Sequence, residues 1–280
     1  MADYRFVIVD VFTDRPLAGN QLAVFTDARS LPVDLLQPVA RELNFSETVF
    51  VFPPEGDGHV RIRIFTPDRE LPFAGHPLLG TAFALAGPLQ LASIQLETKA
   101  GVVPVELERE GARIVFGRMA QPLPSVEPVP FEAELLAALG VARSTLPVEL
   151  YDLGPRHAFA VLEHEDELGR IEPDAAALKR LPPLCAACVA GSGRRWRARV
   201  FCPSYAVSED PATGSAAGPL AYHLARHGRI AFGDEIEIRQ GVEIRRPSVL
   251  HARALGSVER LEKIEVGGSA VVVARGEFRF

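Results

Sequence analysis

Three polar residues of this chain stand in segments that could support acid–base chemistry, and Glu47 is the first. It lies in the run Phe45-Ser46-Glu47-Thr48-Val49-Phe50, where period-two alternation places its carboxylate on the same side as Phe45 and Val49. Burying an ionised carboxylate among apolar side chains costs free energy, so we expect its pKa to rise toward neutrality, which suits a general acid or base. The alternative is a glutamate at a sheet edge, exposed or paired with an arginine. The local sequence favours neither.

His76 and Asp210 are the other two, and each lies where an apolar, small-residue segment begins. His76, between Gly75 and Pro77, is either a helix-entry residue with a satisfied imidazole or a proton donor and acceptor facing a cleft. Asp210 precedes Pro211, and an Asx-Pro turn before a helix start is commonly a cap. The sequence therefore predicts either helix entry or proton transfer at both positions, with the cap favoured at Asp210.

The elements that must position these side chains are mostly short strands. Helices are predicted over 35–43, where Pro38 is tolerable only in the first turn, and over 132–139. Segments 77–86 and 215–227 are apolar nearly all round, which is typical of helices inside a domain. Runs rich in β-branched and aromatic residues predict strands over 4–12, 22–25, 48–52, 60–65, 93–98, 102–107 and 113–116.

An internal repeat organises these elements. The run Arg61-Ile62-Arg63-Ile64-Phe65-Thr66-Pro67 returns as Arg197-Ala198-Arg199-Val200-Phe201-Cys202-Pro203, and each copy precedes an acidic linker and an apolar helix. Chance similarity in a β-rich chain is the alternative. The repeat predicts two similar domains, each a curved sheet about a central helix, separated within the Pro-rich stretch 120–130. Free N–H groups at each helix start, beside Gly75 or Gly214, would bind a small carboxylate or phosphate.

Length and composition agree with two domains and exclude several classes of protein. The chain has 280 residues, about twice the usual ~150 per domain, and its 23 Gly and 23 Pro predict many turns. A net charge of −6 without a basic run gives no basis for nucleic-acid binding. The start of the sequence lacks a signal peptide, and no apolar window predicts a membrane span. Three cysteines are too few for a disulfide framework, which favours a cytoplasmic location.

Two pairs of residues have the spacing of a metal or redox site but lack the other residues that such a site needs. Cys185 and Cys188 have zinc or redox spacing, but no second pair completes a site, so buried thiols are predicted. His223 and His227 lie one helical turn apart, yet no glutamate follows His223 as in a metalloprotease helix. No phosphate-binding loop or dinucleotide fingerprint is present. We therefore predict no metal and no organic cofactor, and a catalyst made of side chains.

The motifs together resemble the PhzF-like isomerases of the phenazine-biosynthesis type, which are related to diaminopimelate epimerase. The resemblance implies an α+β fold of two pseudo-symmetric domains, each a β-barrel-like sheet around a central helix. Residues 1–119 would form the first domain, with 268–280 able to return to it, and 120–267 the second. A homodimer without metal or cofactor is also implied. The matching segments are Asp10-Val11-Phe12-Thr13, Gly19-Asn20, Phe45 to Phe50, Phe65-Thr66-Pro67, Pro72 to Pro77 and Glu209 to Ala216.

The same resemblance implies a role for each candidate residue. Glu47 would be the acid/base, and His76 and Asp210 would assist. The epimerase relatives use two cysteines, near Ala74 and Pro211 here, so a two-thiol racemisation is disfavoured. Substrate would be bound by Asn20, Ser46, Gly75, Thr213, Gly214 and Ser215.

The predicted function is a cofactor-independent isomerase that moves a proton on a small, cyclic or amino carboxylic acid. One alternative is an amino- or hydroxy-acid epimerase with Glu47 and Asp210 as opposed bases. The other is a non-catalytic protein that binds small acids on the same fold. The sequence does not distinguish substrates within these classes.

Overall fold

The computed structural model describes residues 3–279, of which 88 and 89 by backbone alone, so residues 1, 2 and 280 of the predicted domains lie outside it. The α-helices within this range are α1 (Leu36–Leu43), α2 (Gly75–Leu89), α3 (Glu132–Leu139), α4 (Glu165–Leu168), α5 (Ala175–Arg180) and α6 (Gly214–Arg226), with 3-10 turns at Val33–Leu35 and Pro203–Tyr205. The strands are β1 (Asp3–Val11), β2 (Asn20–Phe25), β3 (Glu47–Phe52), β4 (Val60–Phe65), β5 (Glu70–Leu71), β6 (Ser93–Thr98), β7 (Gly101–Glu110), β8 (Arg113–Gln121), β9 (Ser125–Pro128), β10 (Glu149–Asp152), β11 (Arg156–Val161), β12 (Cys185–Ser192), β13 (Arg195–Cys202), β14 (Val207–Asp210), β15 (Ile236–Gln240), β16 (Ser248–Gly256), β17 (Leu261–Gly268) and β18 (Ala270–Arg279).

The chain separates into two compact units. The first contains Met1–Ala120 and Gly267–Phe280, and the second contains Gln121–Val266. In the second unit β9 pairs antiparallel with β10, so part of the Pro-rich stretch that we predicted to be a linker is a strand. Proline is tolerated there because β9 is short and its Pro128 stands at its end.

The sheet of the first unit curves around α2. Its strands follow the order β18, β1, β2, β3, β4, β6, β7, β8, with β5 beside β4. The pairs β2–β3 and β4–β6 are parallel, and the remaining pairs are antiparallel. Helix α2 contacts β18, β1, β2 and β3 and also β6 and β7, which lie at opposite ends of that order. A sheet that touches one helix with both of its ends must wrap around it.

The second unit has the same succession of strand directions. Its order is β9, β10, β11, β12, β13, β15, β16, with β14 beside β13, and the pairs β11–β12 and β13–β15 are parallel. Its helix α6 is buried from Gly214 to Ala225 and packs against β11 and β16. Each unit taken by itself is therefore a mixed α+β layer around an apolar helix, as the α+β class predicted from the sequence requires.

Shorter helices cover the outer face of each sheet. In the first unit, Leu36 and Val39 of α1 pack with Phe25 and Phe50 in a separate core cluster. In the second, α3, α4 and α5 contribute leucines to a cluster that includes Phe201. Strands beneath these helices, such as β3 and β12, are thus buried on both faces, which explains their nearly continuous apolar sequences.

The predicted helices are confirmed at all four places, and Pro38 lies in the first turn of α1, where its missing N–H costs nothing. Helices α2 and α6 hold mainly Ala, Leu and Gly because only small residues let strands approach an enclosed helix closely. A Cβ built at Gly80 of α2 would lie 2.6 Å from Leu22 Cδ2. Among the residues that the model describes, no helix has the length and apolar character needed to span a bilayer.

The prediction that Cys185 and Cys188 are buried thiols is wrong for Cys185 and confirmed for Cys188. Cys185 of β12 and Cys202 of β13 form a disulfide, with their Cα atoms 4.3 Å apart. They lie opposite one another because β12 and β13 pair antiparallel, a relationship that local spacing does not reveal. Cys188 is a buried free thiol, and burial raises its pKa to about 12.

Candidate active-site residues

Glu47 opens β3 and points toward the central helix of the first unit. It stands in register with Leu22 of the parallel strand β2, and Asn20 precedes Leu22 by two residues, so all three side chains share a face. That face is the one against α2, because Leu22 packs on Gly80. The glutamate side chain is 16% exposed, which leaves it reachable at the end of an otherwise buried strand.

His76 meets Glu47 from the first turn of α2. Its Nε2 lies 3.3 Å from Glu47 Oε2, and its Nδ1 lies 3.3 Å from the side-chain nitrogen of Asn20. Three predicted site residues therefore meet: Asn20 from β2, Glu47 from β3 and His76 from the first turn of α2. The carboxylate, the imidazole and the amide form a continuous polar row within an apolar interior.

The imidazole of His76 is neutral. Burial lowers its pKa from the ordinary 6.5 to about 3, opposed by a hydrogen bond with the backbone of Gln21. A neutral ring carries one hydrogen and one lone pair, so after a small rotation the nitrogen facing Glu47 can donate a hydrogen bond to the carboxylate or accept one from the carboxylic acid. Either state allows the ring to hold or relay a proton beside Glu47.

Asp210 and Thr213 form a closed turn in the second unit, just before α6. The hydroxyl of Thr213 donates to Asp210 Oδ2 at 2.7 Å, and both side chains are buried. The backbone N–H of Thr213 donates to Gln240 Oε1 at 3.1 Å, so that group is occupied within the protein. The other two predicted donors, Gly214 and Ser215, lie in the first turn of α6. Backbone N–H groups in the first turn of a helix have no partner within that helix.

Two residues that sequence reasoning missed hold this turn in place. Gln240 also donates from Nε2 to the carbonyl of Asp210 at 2.6 Å and to Thr213 Oγ1 at 2.9 Å. The hydroxyl of Ser248 donates to the carbonyl of Pro211 at 2.8 Å. Both come from strands β15 and β16, far along the chain from Asp210, and no local pattern marks them. Long-range strand pairing alone brings them to the turn.

The same arginine–glutamate ion pair occurs at equivalent positions of the internal repeat in the two units. In the first, Arg63 donates from Nε and Nη2 to the two carboxylate oxygens of Glu70, both at 2.8 Å. In the second, Arg199 donates in the same way to Glu209, at 3.0 and 2.8 Å. Each guanidinium also stacks near the phenylalanine two residues later in its strand. Glu70 and Glu209 each precede the start of the central helix by five residues, so Gly75 and Gly214 are equivalent positions in the repeat.

Neither central helix is capped by its own side chains. The N-cap residues Ala74 of α2 and Thr213 of α6 make no side-chain capping hydrogen bond, whereas Asp174 caps the peripheral helix α5 through the N–H of Ala177. Uncapped starts leave N–H groups and the positive end of the helix dipole to bind an anion. Gly75, Gly214 and Ser215 are all buried at these starts, and Ser46 is partly buried beside Glu47.

Comparison with known proteins identifies the chain. The model of the phenazine biosynthesis-like protein family matches residues 9–276. The trans-2,3-dihydro-3-hydroxyanthranilate isomerase of Pseudomonas aeruginosa is 52% identical over 273 residues, covering 98% of both chains. The corresponding isomerase of Pseudomonas fluorescens is 50% identical over the same length and coverage. A PhzF-family crystal structure from Bacillus anthracis superimposes with a TM-score of 0.86 at 26% identity, covering both chains completely.

The fold and these relatives define the class of the protein, which is an isomerase. A hydroxyproline epimerase from Agrobacterium vitis shares the fold at 14% identity with a TM-score of 0.65, covering 99% of this chain and 91% of its own. The chain belongs to the PhzC–PhzF family of phenazine biosynthesis-like proteins. The resemblance inferred from the motifs is thereby confirmed.

Proposed function

We propose that this isomerase acts on trans-2,3-dihydro-3-hydroxyanthranilate or a close analogue, with Glu47 as the acid/base. The substrate comes from the name of the relatives that are 52% and 50% identical over nearly the whole chain. We assign Glu47 as the base because its partly exposed carboxylate lies 3.3 Å from the buried, neutral imidazole of His76. That carboxylate–imidazole pair is the observation that carries the proposal.

The chemistry of such a substrate suits a single carboxylate. In a 2,3-dihydro-3-hydroxyanthranilate ring, carbons 2 and 3 are saturated and carbon 3 carries the hydroxyl group. Its C3–H bond therefore adjoins a diene that is conjugated with the carboxylate. Glu47 takes that proton, and the electron pair left behind delocalises through the diene toward the carboxylate. The same carboxylic acid returns the proton to another carbon of the conjugated system on the same face. Nothing is oxidised or reduced, and no co-reactant is consumed.

His76 and Asn20 support the proton transfer in this proposal. The imidazole, neutral across the physiological range, stabilises Glu47 in either protonation state by donating or accepting one hydrogen bond. The side-chain nitrogen of Asn20, 3.3 Å from Nδ1, fixes the ring. The uncapped start of α2 at Gly75 offers N–H groups for the growing negative charge, a preorganised form of stabilisation.

Asp210, Thr213, Gly214 and Ser215 keep the assisting and substrate-binding roles that the family resemblance implies. Their support within the second unit is the closed turn and the uncapped start of α6. Ser46 keeps a substrate-binding role beside Glu47. We also propose that the chain works as a homodimer without an organic cofactor, as the resemblance implies. Proton transfer by two thiols receives no support, because Ala74 and Pro211 occupy the relevant positions.

Turnover of the synthetic trans acid in deuterated water tests the proposal. We expect loss of the starting diene absorbance and deuterium in the product, because the carboxylic acid of Glu47 exchanges its proton with solvent before returning it. Hydroxyproline should be left unchanged on chiral chromatography. Binding of the acid without exchange or conversion would favour a non-catalytic binding protein. Inversion of hydroxyproline without conversion of the diene acid would favour an epimerase. Either result would reject the proposed reaction.

A further inference from the structure

A second cluster of ionisable side chains lies in the second unit, at the C-terminal end of α6. Its members are Glu149 at the start of β10, His223 in the last turn of α6, and His227, the residue that follows the end of that helix. One donor atom from each lies within 4.8 Å of the other two. The helical spacing of the histidines is visible in the sequence, but the third member is not, because only the fold brings β10 to this helix.

Two of the three distances between donor atoms are close to those that a small divalent ion needs, and the third is no more than 4.8 Å. Glu149 Oε2 lies 2.8 Å from His227 Nε2 and 3.5 Å from His223 Nδ1. A tetrahedral zinc ion with bonds of about 2.0–2.1 Å holds its donors about 3.3 Å apart. The two measured distances bracket that value, so small side-chain rotations would admit the ion. Imidazole nitrogens with one carboxylate oxygen are also the donor types that zinc takes in three-ligand sites.

Neighbouring groups surround the three donor atoms, and the phenol of Tyr151, which is hydrogen-bonded to two of them, must turn away when an ion binds. Arg226 Nη1 lies 3.1 Å from Glu149 Oε1, which is the other carboxylate oxygen, and so orients the group while leaving Oε2 inward. The phenol of Tyr151 lies 3.0 Å from Glu149 Oε2 and 2.9 Å from His223 Nδ1. His223 Nε2 is buried and has no hydrogen-bond partner in the described part of the chain. The side chains of His227 and Glu149 are 20% and 14% exposed, so an ion can reach them from solvent.

We infer that Glu149, His223 and His227 form a binding site for one zinc-class divalent ion per chain. This proposal departs from the expectation, drawn from the histidine and cysteine spacings and from the family resemblance, that no metal binds. His223 follows Gly214 by nine residues, which is about 14 Å along the helix. The ion therefore ties α6 to β10 far from the start of that helix. Its role is to stabilise the second unit, and it takes no part in the proposed proton transfer.

Titration of untagged, chelator-stripped protein with Zn²⁺ by calorimetry tests this inference, with Co²⁺ absorption as the report on donor geometry. We expect one Zn²⁺ per chain, tetrahedral Co²⁺ bands, and a rise in melting temperature with added Zn²⁺. His227→Ala and Glu149→Gln should each weaken binding by at least about tenfold, as loss of even an outer partner does. The matched control is His251→Ala, because His251 lies 3.6 Å from a single carboxylate, that of Glu235.

Wild-type binding of less than one Zn²⁺ per chain would overturn the site. So would wild-type affinity in both His227→Ala and Glu149→Gln, or an equal loss in His251→Ala. The wild-type stoichiometry and the Co²⁺ spectrum do not depend on any variant folding. None of these readouts uses catalytic turnover, so the site stands or falls separately from the proposed function.

Discussion

Arg199 holds both carboxylate oxygens of Glu209, the residue immediately before Asp210, and its remaining nitrogen donates to two backbone carbonyls. Nε and Nη2 donate to Glu209 at 3.0 and 2.8 Å, and Nη1 donates to the carbonyls of Leu168 and Ile171 at 2.9 and 2.8 Å. One guanidinium thus joins the segment that carries Asp210 to the outer helical layer. The planar fork of arginine makes this possible, and an ammonium group cannot reproduce it.

Arg199→Lys should therefore lower the free energy of unfolding by about 1–3 kcal/mol, since charged hydrogen bonds are lost at a buried site. Denaturant unfolding followed by circular dichroism measures the change. The control is Arg239→Lys, where the arginine is 61% exposed and pairs with Glu237 at 3.0 Å. Exposed pairs contribute about 0–1 kcal/mol, so the control should stay close to wild type. Equal losses in the two variants would contradict a structural role for the Arg199 pair.

Acid should destabilise the protein partly through His157. This ring is fully buried, neither nitrogen has a hydrogen-bond partner among the residues described, and burial lowers its pKa to about 3. Between pH 6.5 and about 3 the unfolded chain protonates this histidine and the folded chain does not. Stability therefore falls as the pH falls through that window, by about 1.4 kcal/mol per pH unit for each such group.

His157→Leu should make the dependence of unfolding free energy on pH shallower by about that slope below pH 6.5. His76, whose pKa burial also lowers to about 3, keeps its own contribution in the variant. Unfolding in urea at a series of pH values measures both slopes. Parallel curves for wild type and variant would show that His157 is protonated in the folded state.

The disulfide should be directly detectable by mass. Intact mass of unreduced protein should be lower by two hydrogens than after reduction, because Cys185 and Cys202 are joined. Thiol titration of the folded protein should give little reaction, since Cys188 is buried and its pKa is raised to about 12. In denaturant, one thiol should react before reduction and three after it. Three reactive thiols in unreduced, denatured protein purified without reductant would contradict the pairing.

Gly19→Ala should disturb the site through its neighbour Asn20. Gly19 has φ +67°, and a Cβ there would collide with the carbonyl oxygen of Val11. We expect a loss of stability larger than the ~1–2 kcal/mol of left-handed backbone alone, with reduced turnover. Gly111→Ala is the control, because Gly111 has φ +62° and no atom within 4 Å of its added Cβ. Equal stability losses would mean that the contact with Val11 relaxes freely.

Periodicity and composition predicted the four longest helices and seven strands of the first unit, because those strands are short, apolar and bounded by turn residues and because α2 and α6 are small-residue helices. Most strands of the second unit were not predicted individually. The pairing of Glu47 with His76 could be expected only from motif resemblance, since 29 residues separate them and strand register decides their meeting. Gln240 and Ser248 escaped notice because their hydrogen bonds reach across the second unit. The disulfide escaped because its cysteines lie at the open end of the β12–β13 hairpin, 17 residues apart. The Glu149 cluster escaped because β10 meets the end of α6 only in the folded second unit.

Glu47→Gln tests the central claim most directly. The amide keeps the size of the side chain and removes its ability to take a proton, so we expect kcat/KM for the trans acid to fall at least about 100-fold, with loss of deuterium uptake. Glu42→Gln is the matched control, because Glu42 is an exposed glutamate of α1 and should leave turnover unchanged. Turnover of Glu47→Gln within a factor of a few of wild type would contradict the assignment of Glu47 as the base.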